Sequence, residues 1–313
     1  MKLTTTQNFH DELLLDMWLN ISKSTVQIFK YTYENKLRGH GSGVLFQFED
    51  NYFIITASHN FIEKNGFVGE GIDDFWVGVE NFTAKDFRVG GFRSESVIFS
   101  LKNQNMLGID KSTYERYKID LAIIKITSQA LIESLKSHKS FLSLSDISHY
   151  PKQRILEQYN KGEISDYYIL YGFPASQTKV ITNKYNPKVK DGEKILNANP
   201  YCQTEYLKNN VSKKLIEEGF TNHIFFSEFK KGYDLFSHQR KNKPIQRGMS
   251  GCGLWEIHID TKGKPCIKLV GIFTEVEEGF GISVKLPFAI YFIREYWGLE
   301  KLPHYGIKIR LGK

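Results

Sequence analysis

Apolar and polar positions change their rhythm once near the start of the chain. Over residues 8–22, "NFHDELLLDMWLNIS", Leu13, Leu14, Met17, Trp18 and Ile21 recur at helical spacing, which predicts an amphipathic helix packed on the outside of the domain. From Val26 the period shortens. "TVQIFKYTYE", "GSGVLFQFED" and "NYFIITASH" are short β-branched and aromatic runs, and the last two meet at Glu49-Asp50-Asn51, which predicts a hairpin. Further strand-like runs are "FWVGVENF", "FRVGGF", "SVIFSL", "LAIIKIT", "YYILYGFP", "NHIFFSEF", "CGLWEIHI", "CIKLVGIFTEV" and "FGISVKL". So many short strands and so few helices predict an all-β dominated chain, an antiparallel barrel or sandwich.

Three stretches break the strand pattern. Residues 128–165 hold "SQALIESLKSHKSFL" and "YPKQRILEQYNKGEI", which predict helix and loop crossing between two lobes, and "KLIEEGF" at 214–220 predicts a short helix. Near the end, "LPFAIYFIREYWGL" carries apolar residues at helical spacing, which predicts a C-terminal helix. There is no repeat at 20 to 50 residues, no low-complexity tract and no Pro/Gly linker.

Composition narrows the function classes. The chain has 313 residues, of which 41% are hydrophobic and 14% aromatic, enough to bury a core and to exclude a disordered chain. Cys202, Cys252 and Cys266 are too few and too odd in number for a secreted disulfide framework, and their spacing fits no metal site. Acidic Asp11 and Glu12 before the short apolar run Leu13 to Leu15, and Asp16 after it, predict that there is no secretory h-region, and no apolar run reaches the length of a membrane span. These features predict a cytoplasmic protein with no membrane partner. The net charge of +7 is spread along the chain, so solvated faces are expected rather than a nucleic-acid partner. The densest basic run, "HQRKNKPIQR" at residues 238–247, lies just before Ser250 and would flank a site built on it.

"QRGMSGCGLW", residues 246–255, sets one serine among three glycines. A serine nucleophile requires a base to take its proton and an acid to orient that base. Of nine histidines, His59 is distinguished by its place at the end of "YFIITASH", where a strand runs into small residues and leaves the imidazole accessible. Between His59 and Ser250 only Asp120 opens an apolar run, "DLAIIKI". A carboxylate beside Leu121, Ala122, Ile123 and Ile124 is costly to bury without a partner.

These three segments resemble, in order, the trypsin-like (chymotrypsin-fold) serine proteases, and the chain looks like a bacterial member of cytosolic type. "GSGVL" followed by "TASH" is similar to the family's strand and base histidine, "DLAIIKI" to its Asp-Ile-Ala-Leu-Leu run, and "GMSGCGL" to its Gly-Asp-Ser-Gly-Gly-Pro-Leu signature. "YYILYGFP" resembles the opening of the second lobe, and "LVGIFTEV" with "GFGISVKLPFAIYFI" resembles the strands walling the specificity pocket and the closing helix. The resemblance implies two six-stranded antiparallel β-barrel lobes with an N-terminal and a C-terminal helix. The divisions are residues 1–25 (helical extension), 26–127 (first lobe), 128–165 (crossover) and 166–313 (second lobe). It implies His59, Asp120 and Ser250 as catalytic residues, the backbone N–H groups of Gly248 and Ser250 as the oxyanion hole, and no cofactor or metal. By alignment, Pro244 and Ile245 fall at the floor of the substrate pocket and Thr274, Glu275 and Val276 along its wall. No aspartate lies at that floor, and Glu275, Glu277 and Glu278 are read as either an attraction for a basic side chain or a solvated turn.

Met249 stands where digestive members of the family have an aspartate that pairs with a newly cut N-terminus, so activation by N-terminal cleavage is not expected. Long separations between the three catalytic positions imply surface-loop insertions. The partners implied are a protein or peptide substrate and an activating partner protein. Two other readings stand beside the endopeptidase: a catalytically silent protease-like module that recognises a protein, and an α/β-hydrolase using Asp260 and His304. The last is disfavoured by Cys252, which breaks Gly-x-Ser-x-Gly, and by "LWEIHI", which continues as strand.

Overall fold

The computed structural model describes residues 17, 19–31, 37–61, 72–80, 93–109, 111–147, 167–173, 193–198, 201–206, 213–227, 231–234, 239–242, 248–259 and 265–309. Strands dominate, and most fall into two antiparallel sheets. The first contains β1 (Thr25–Tyr31), β2 (Leu37–Phe48), β3 (Asn51–Thr56), β4 (Phe75–Glu80), β5 (Arg93–Ser100), β6 (Asn105–Gly108) and β7 (Ala122–Ile126). β9 (Glu193–Ala198), from the later half of the chain, joins its edge, giving the order β6-β7-β3-β2-β1-β4-β5-β9. The second contains β8 (Tyr167–Gly172), β10 (Tyr201–Tyr206), β11 (His223–Ser227), β14 (Gly253–Ile259), β15 (Pro265–Glu277) and β16 (Phe280–Lys285) in the order β10-β8-β14-β15-β16-β11. β12 (Lys231–Asp234) and β13 (Gln239–Asn242) form a separate ribbon.

The expected hairpin is present: β2 pairs with β3 around a turn in which Glu49 adopts φ 50°. Val44, Leu45, Phe46, Phe53, Ile54 and Ile55 are all fully buried, so the centre of this hairpin is apolar on both faces and lies inside the protein. One face packs within the first sheet, where Leu45, Ile54 and Ile124 meet Val26 and Phe75. The other face joins a larger core shared with the second sheet, in which Val44, Phe53 and Ile55 belong to the same cluster as Trp255, Ile272 and Phe292.

Helices cover the buried clusters. Residues 19–24 are helical (α1), and Met17 and Ile21 are buried in the core. α2 (Lys111–Tyr117) was not legible in the sequence; α3 (Gln129–His138) and α4 (Lys213–Glu217) lie where helices were expected. Ser128 caps α3, its side chain accepting from the Leu131 N–H. α5 (Leu286–Trp297) is opened by Pro287 and stopped by Gly298 at φ 65°, and buries Phe288, Ile290, Phe292 and Ile293. After α3 the chain crosses between the sheets. Leu142 exchanges backbone hydrogen bonds with β2, and Ile147 bridges to Leu269 of β15. The stretches "FRVGGF" and "YPKQRILEQYNKGEI" lie outside the described residues.

Candidate active site

β3 ends at Thr56, and the next three residues are small or polar. Ala57 stays extended, and Ser58–Asn60 make one 3-10 turn closed by the Phe61 N–H to Ser58 O bond at 2.9 Å. The turn lifts His59 out of the sheet. Its side chain is 48% exposed, while both neighbours in the turn, Ser58 and Asn60, are buried.

Asp120 arrives from the opposite direction, on the segment that leads into β7. Ile119 and Leu121 flank it in the core, the Leu121 carbonyl accepts from Ile109 N–H at 3.1 Å, and the carboxylate is only 7% exposed. Its partner is His59 twice over. Oδ1 accepts the His59 backbone N–H at 2.9 Å and Oδ2 accepts Nδ1–H at 2.5 Å. A proton on Nδ1 leaves Nε2 of this half-exposed side chain as the nitrogen able to accept one. Desolvation works against the charged imidazole but is outweighed by the hydrogen bond and charge of Asp120 and by the charge of Glu275, so the His59 pKa is raised above 6.5.

Ser250 is brought to the same place by the joint between the sheets. Its carbonyl accepts from the Ser42 N–H at 2.9 Å and from Asn60 Nδ2 at 3.0 Å, and Asn60 is the residue after His59. Ser42 Oγ donates to Gly248 O at 3.2 Å and accepts the Phe173 N–H at 3.0 Å, so one hydroxyl of β2 ties the serine's turn to the end of β8. Thr56 Oγ1 donates to Ser42 O at 2.6 Å and accepts from Asn60 Nδ2 at 3.0 Å. Gly251 has φ 90°, and a Cβ there would lie 2.1 Å from both Ser42 O and Thr56 Oγ1; only glycine allows the two chains to meet this closely.

The turn leaves two of its backbone donors unengaged. Met249 O accepts from Cys252 N–H at 3.0 Å. The Ser250 N–H, antiparallel to that carbonyl across one planar peptide, therefore points out of the turn. Gly248, at φ 92°, has its carbonyl turned to Ser42. Among the described residues no hydrogen bond engages the N–H of Gly248 or of Ser250, and none joins Ser250 Oγ to His59. The Met249 side chain is wholly buried with Leu170, Phe226, Cys252 and Phe273, so apolar packing anchors the turn.

Of the residues expected to line a pocket, Pro244 and Ile245 lie outside the described residues. Thr274 is buried and donates its hydroxyl to Ile282 O at 3.2 Å. It is the extra residue of a bulge, since Phe273 pairs with Ser283 and Glu275 with Ile282. Glu275 and Val276 are half-buried, whereas Glu277 and Glu278 are exposed, and Glu278 pairs with Lys214. Burial, with Asp120 nearby, pushes the Glu275 carboxyl up to about 7; His59 and Lys118 oppose the shift and Glu277 adds to it. Burial and the same carboxyl push the Tyr114 hydroxyl well above its ordinary value of 10. Behind the site, His223 donates Nε2–H to Lys118 O at 2.8 Å, and burial lowers its pKa to about 4, keeping it neutral.

Ser42, Asn60 and Tyr114 were not singled out from sequence. Ser42 lies in the quoted "GSGVL" and Asn60 follows the base, but their contacts cross the whole chain. Among the described residues no cluster of three or more His, Cys, Asp or Glu side chains is arranged to hold a metal ion, and no helix is long and apolar enough to cross a membrane. No protein-family model matches the chain, and no curated protein matches it.

Proposed function

We propose that this chain is a serine endopeptidase of the chymotrypsin-like kind, its two sheets being the two barrel lobes of that architecture. The observation that carries the reading is the two-point hold of Asp120 on His59, with the backbone of Ser250 fastened to the residue next to His59. Ser250 Oγ attacks the peptide carbonyl carbon while His59 Nε2 takes the hydroxyl proton. Asp120 keeps the proton on Nδ1 and balances the imidazolium. The N–H groups of Gly248 and Ser250 receive the developing oxyanion, a contribution of roughly 3 to 4 kcal/mol in comparable sites. The C–N bond breaks as His59 returns the proton to the leaving amine. Water, deprotonated by His59, then hydrolyses the acyl-enzyme and restores Ser250.

The buried Met249 supports a turn held without an ion pair to a cut N-terminus, so control falls to substrate choice or to an activating partner. A protease with a general-purpose cleft is hazardous inside a cell, and a cytoplasmic setting fits that restriction. One observation favours a second reading, a silent module that recognises a protein: the missing hydrogen bond between Ser250 Oγ and His59. Such contacts often tighten only when substrate binds. The test is mass spectrometry of new peptide termini after incubation with a library of denatured-protein peptides. The endopeptidase reading expects a restricted set of termini that Ser250→Ala and His59→Ala abolish. Termini unchanged in Ser250→Ala, or none from the wild type at any substrate concentration, contradict it.

A further inference from the structure

A cavity of about 360 Å³ lies where α2 faces the segment that follows α5. The described residues that line it are Ser112, Thr113, Arg116 and Tyr117 of α2 and Lys308 of that segment. The helical four form two pairs at i and i+4, Ser112 with Arg116 and Thr113 with Tyr117, so a single face of α2 makes one wall. That wall is fixed from behind: Thr113 is buried, and Tyr117 packs against the large core shared by the two sheets. The opposite wall is fixed to the same core. Ile309 is buried in it, Ile307 packs against it, and Tyr291 of α5 donates its hydroxyl to Ile309 O at 2.8 Å, while Lys308 between the two isoleucines is exposed. Core packing on both sides thus holds the cavity open in the free protein, as in sites that take small ligands.

The cavity's charge has one sign: its described lining holds two cations and no acidic side chain. Arg116 lies over the Tyr117 ring at 5.2 Å from its centroid, a contact that steadies the planar guanidinium at the rim. Among the described residues neither Arg116 nor Lys308 takes part in an ion pair. We propose that this cavity binds a small organic phosphomonoester, with Arg116 and Lys308 sharing the charge of its phosphate and Tyr117 beside its organic part. A phosphomonoester carries about −1.5 to −2 at pH 7 and so matches two cations, where a carboxylate matches one. The guanidinium offers the phosphate two parallel N–H groups, and the ammonium adds a point charge. The site goes beyond the hydrolase reading and does not depend on it, since none of His59, Asp120 and Ser250 lines the cavity.

The experiment is a calorimetric titration of the full chain with inorganic phosphate, phenyl phosphate and adenosine monophosphate, beside the unphosphorylated parents phenol and adenosine. The expected result is saturable binding of an ester, with its parent weaker by about a hundredfold or more. Arg116→Gln and Lys308→Gln should each weaken the ester by about tenfold or more, and Arg116→Lys should restore little of the loss. NMR of the wild type makes the same test without a substitution. Ester-induced amide shifts centred on Ser112, Thr113, Arg116, Tyr117 and Lys308 support the proposal, and shifts confined elsewhere overturn it. Absence of binding at millimolar ester, or an affinity unchanged in both glutamine variants, overturns it as well. Inorganic phosphate that binds as tightly as either ester shows a free-phosphate site and overturns the organic ligand.

Discussion

Asp120 accepts two hydrogen bonds from His59, one from the backbone N–H at 2.9 Å and one from Nδ1–H at 2.5 Å. The first fixes the turn and the second fixes the ring. Asp120→Asn keeps the shape but can present an amide N–H to Nδ1, which favours the wrong tautomer. We expect kcat on a peptide ester to fall by on the order of 10³ to 10⁴ with little change in thermal midpoint. Asp120→Ala should in addition leave a backbone N–H without its acceptor and cost about 1 to 3 kcal/mol by denaturant titration.

The pH dependence follows from the raised pKa of His59. The base acts when neutral, so kcat/KM should climb with pH through a midpoint above 6.5, the ordinary imidazole value. A climb centred below 6.5 would mean that Asp120 and Glu275 do not outweigh desolvation.

Glu275 predicts an opposite pH dependence in stability. Its folded-state pKa of about 7 lies above the unfolded value of 4.5, so its stabilising share is fully present below pH 4.5 and is lost as pH rises through 7. Glu275→Gln should thus be near-neutral at pH 5 and stabilising by roughly 2 kcal/mol at pH 8, read from chemical denaturation at the two pH values. Equal effects at both values would contradict burial of an ionising carboxyl.

The joint between the sheets should be intolerant of a single methyl group. Gly251→Ala drives a Cβ into Ser42 O and Thr56 Oγ1 at a positive φ, and we expect loss of more than about 3 kcal/mol together with the activity. Ser42→Ala keeps the volume but removes the hydroxyl shared by Gly248 O and Phe173 N–H; a loss of about 1 to 3 kcal/mol is expected, with kcat reduced more than KM raised.

What the sequence revealed, and what it hid, divides by the range of the interaction. Asp120 was legible because Leu121 to Ile124 make its burial expensive, and His59 because a buried strand runs into Ala57 and Ser58. α5 announced itself by the apolar residues at helical spacing in "LPFAIYFIREYWGL". β9, "EKILNA", and β10, "YCQTEY", were not visible, since they attach by backbone pairing at sheet edges and carry no alternating pattern; β9 pairs with β5, far back in the chain. α2, "KSTYERY", shows no apolar stripe, so nothing marked Tyr114. Asn60 meets Ser250 across 190 residues. Glu275 was placed on a pocket wall by alignment alone, and the bulge that sets its direction depends on the register with β16, which no local pattern encodes.

The central claim is that His59 activates Ser250. The most direct measurement is intact-protein and peptide mass spectrometry after exposure to a fluorophosphonate probe, with wild type beside Ser250→Ala and His59→Ala. One adduct, on Ser250, that both substitutions abolish is the predicted result. An adduct that persists in His59→Ala, or a wild-type protein that stays unlabelled while folded, would contradict it.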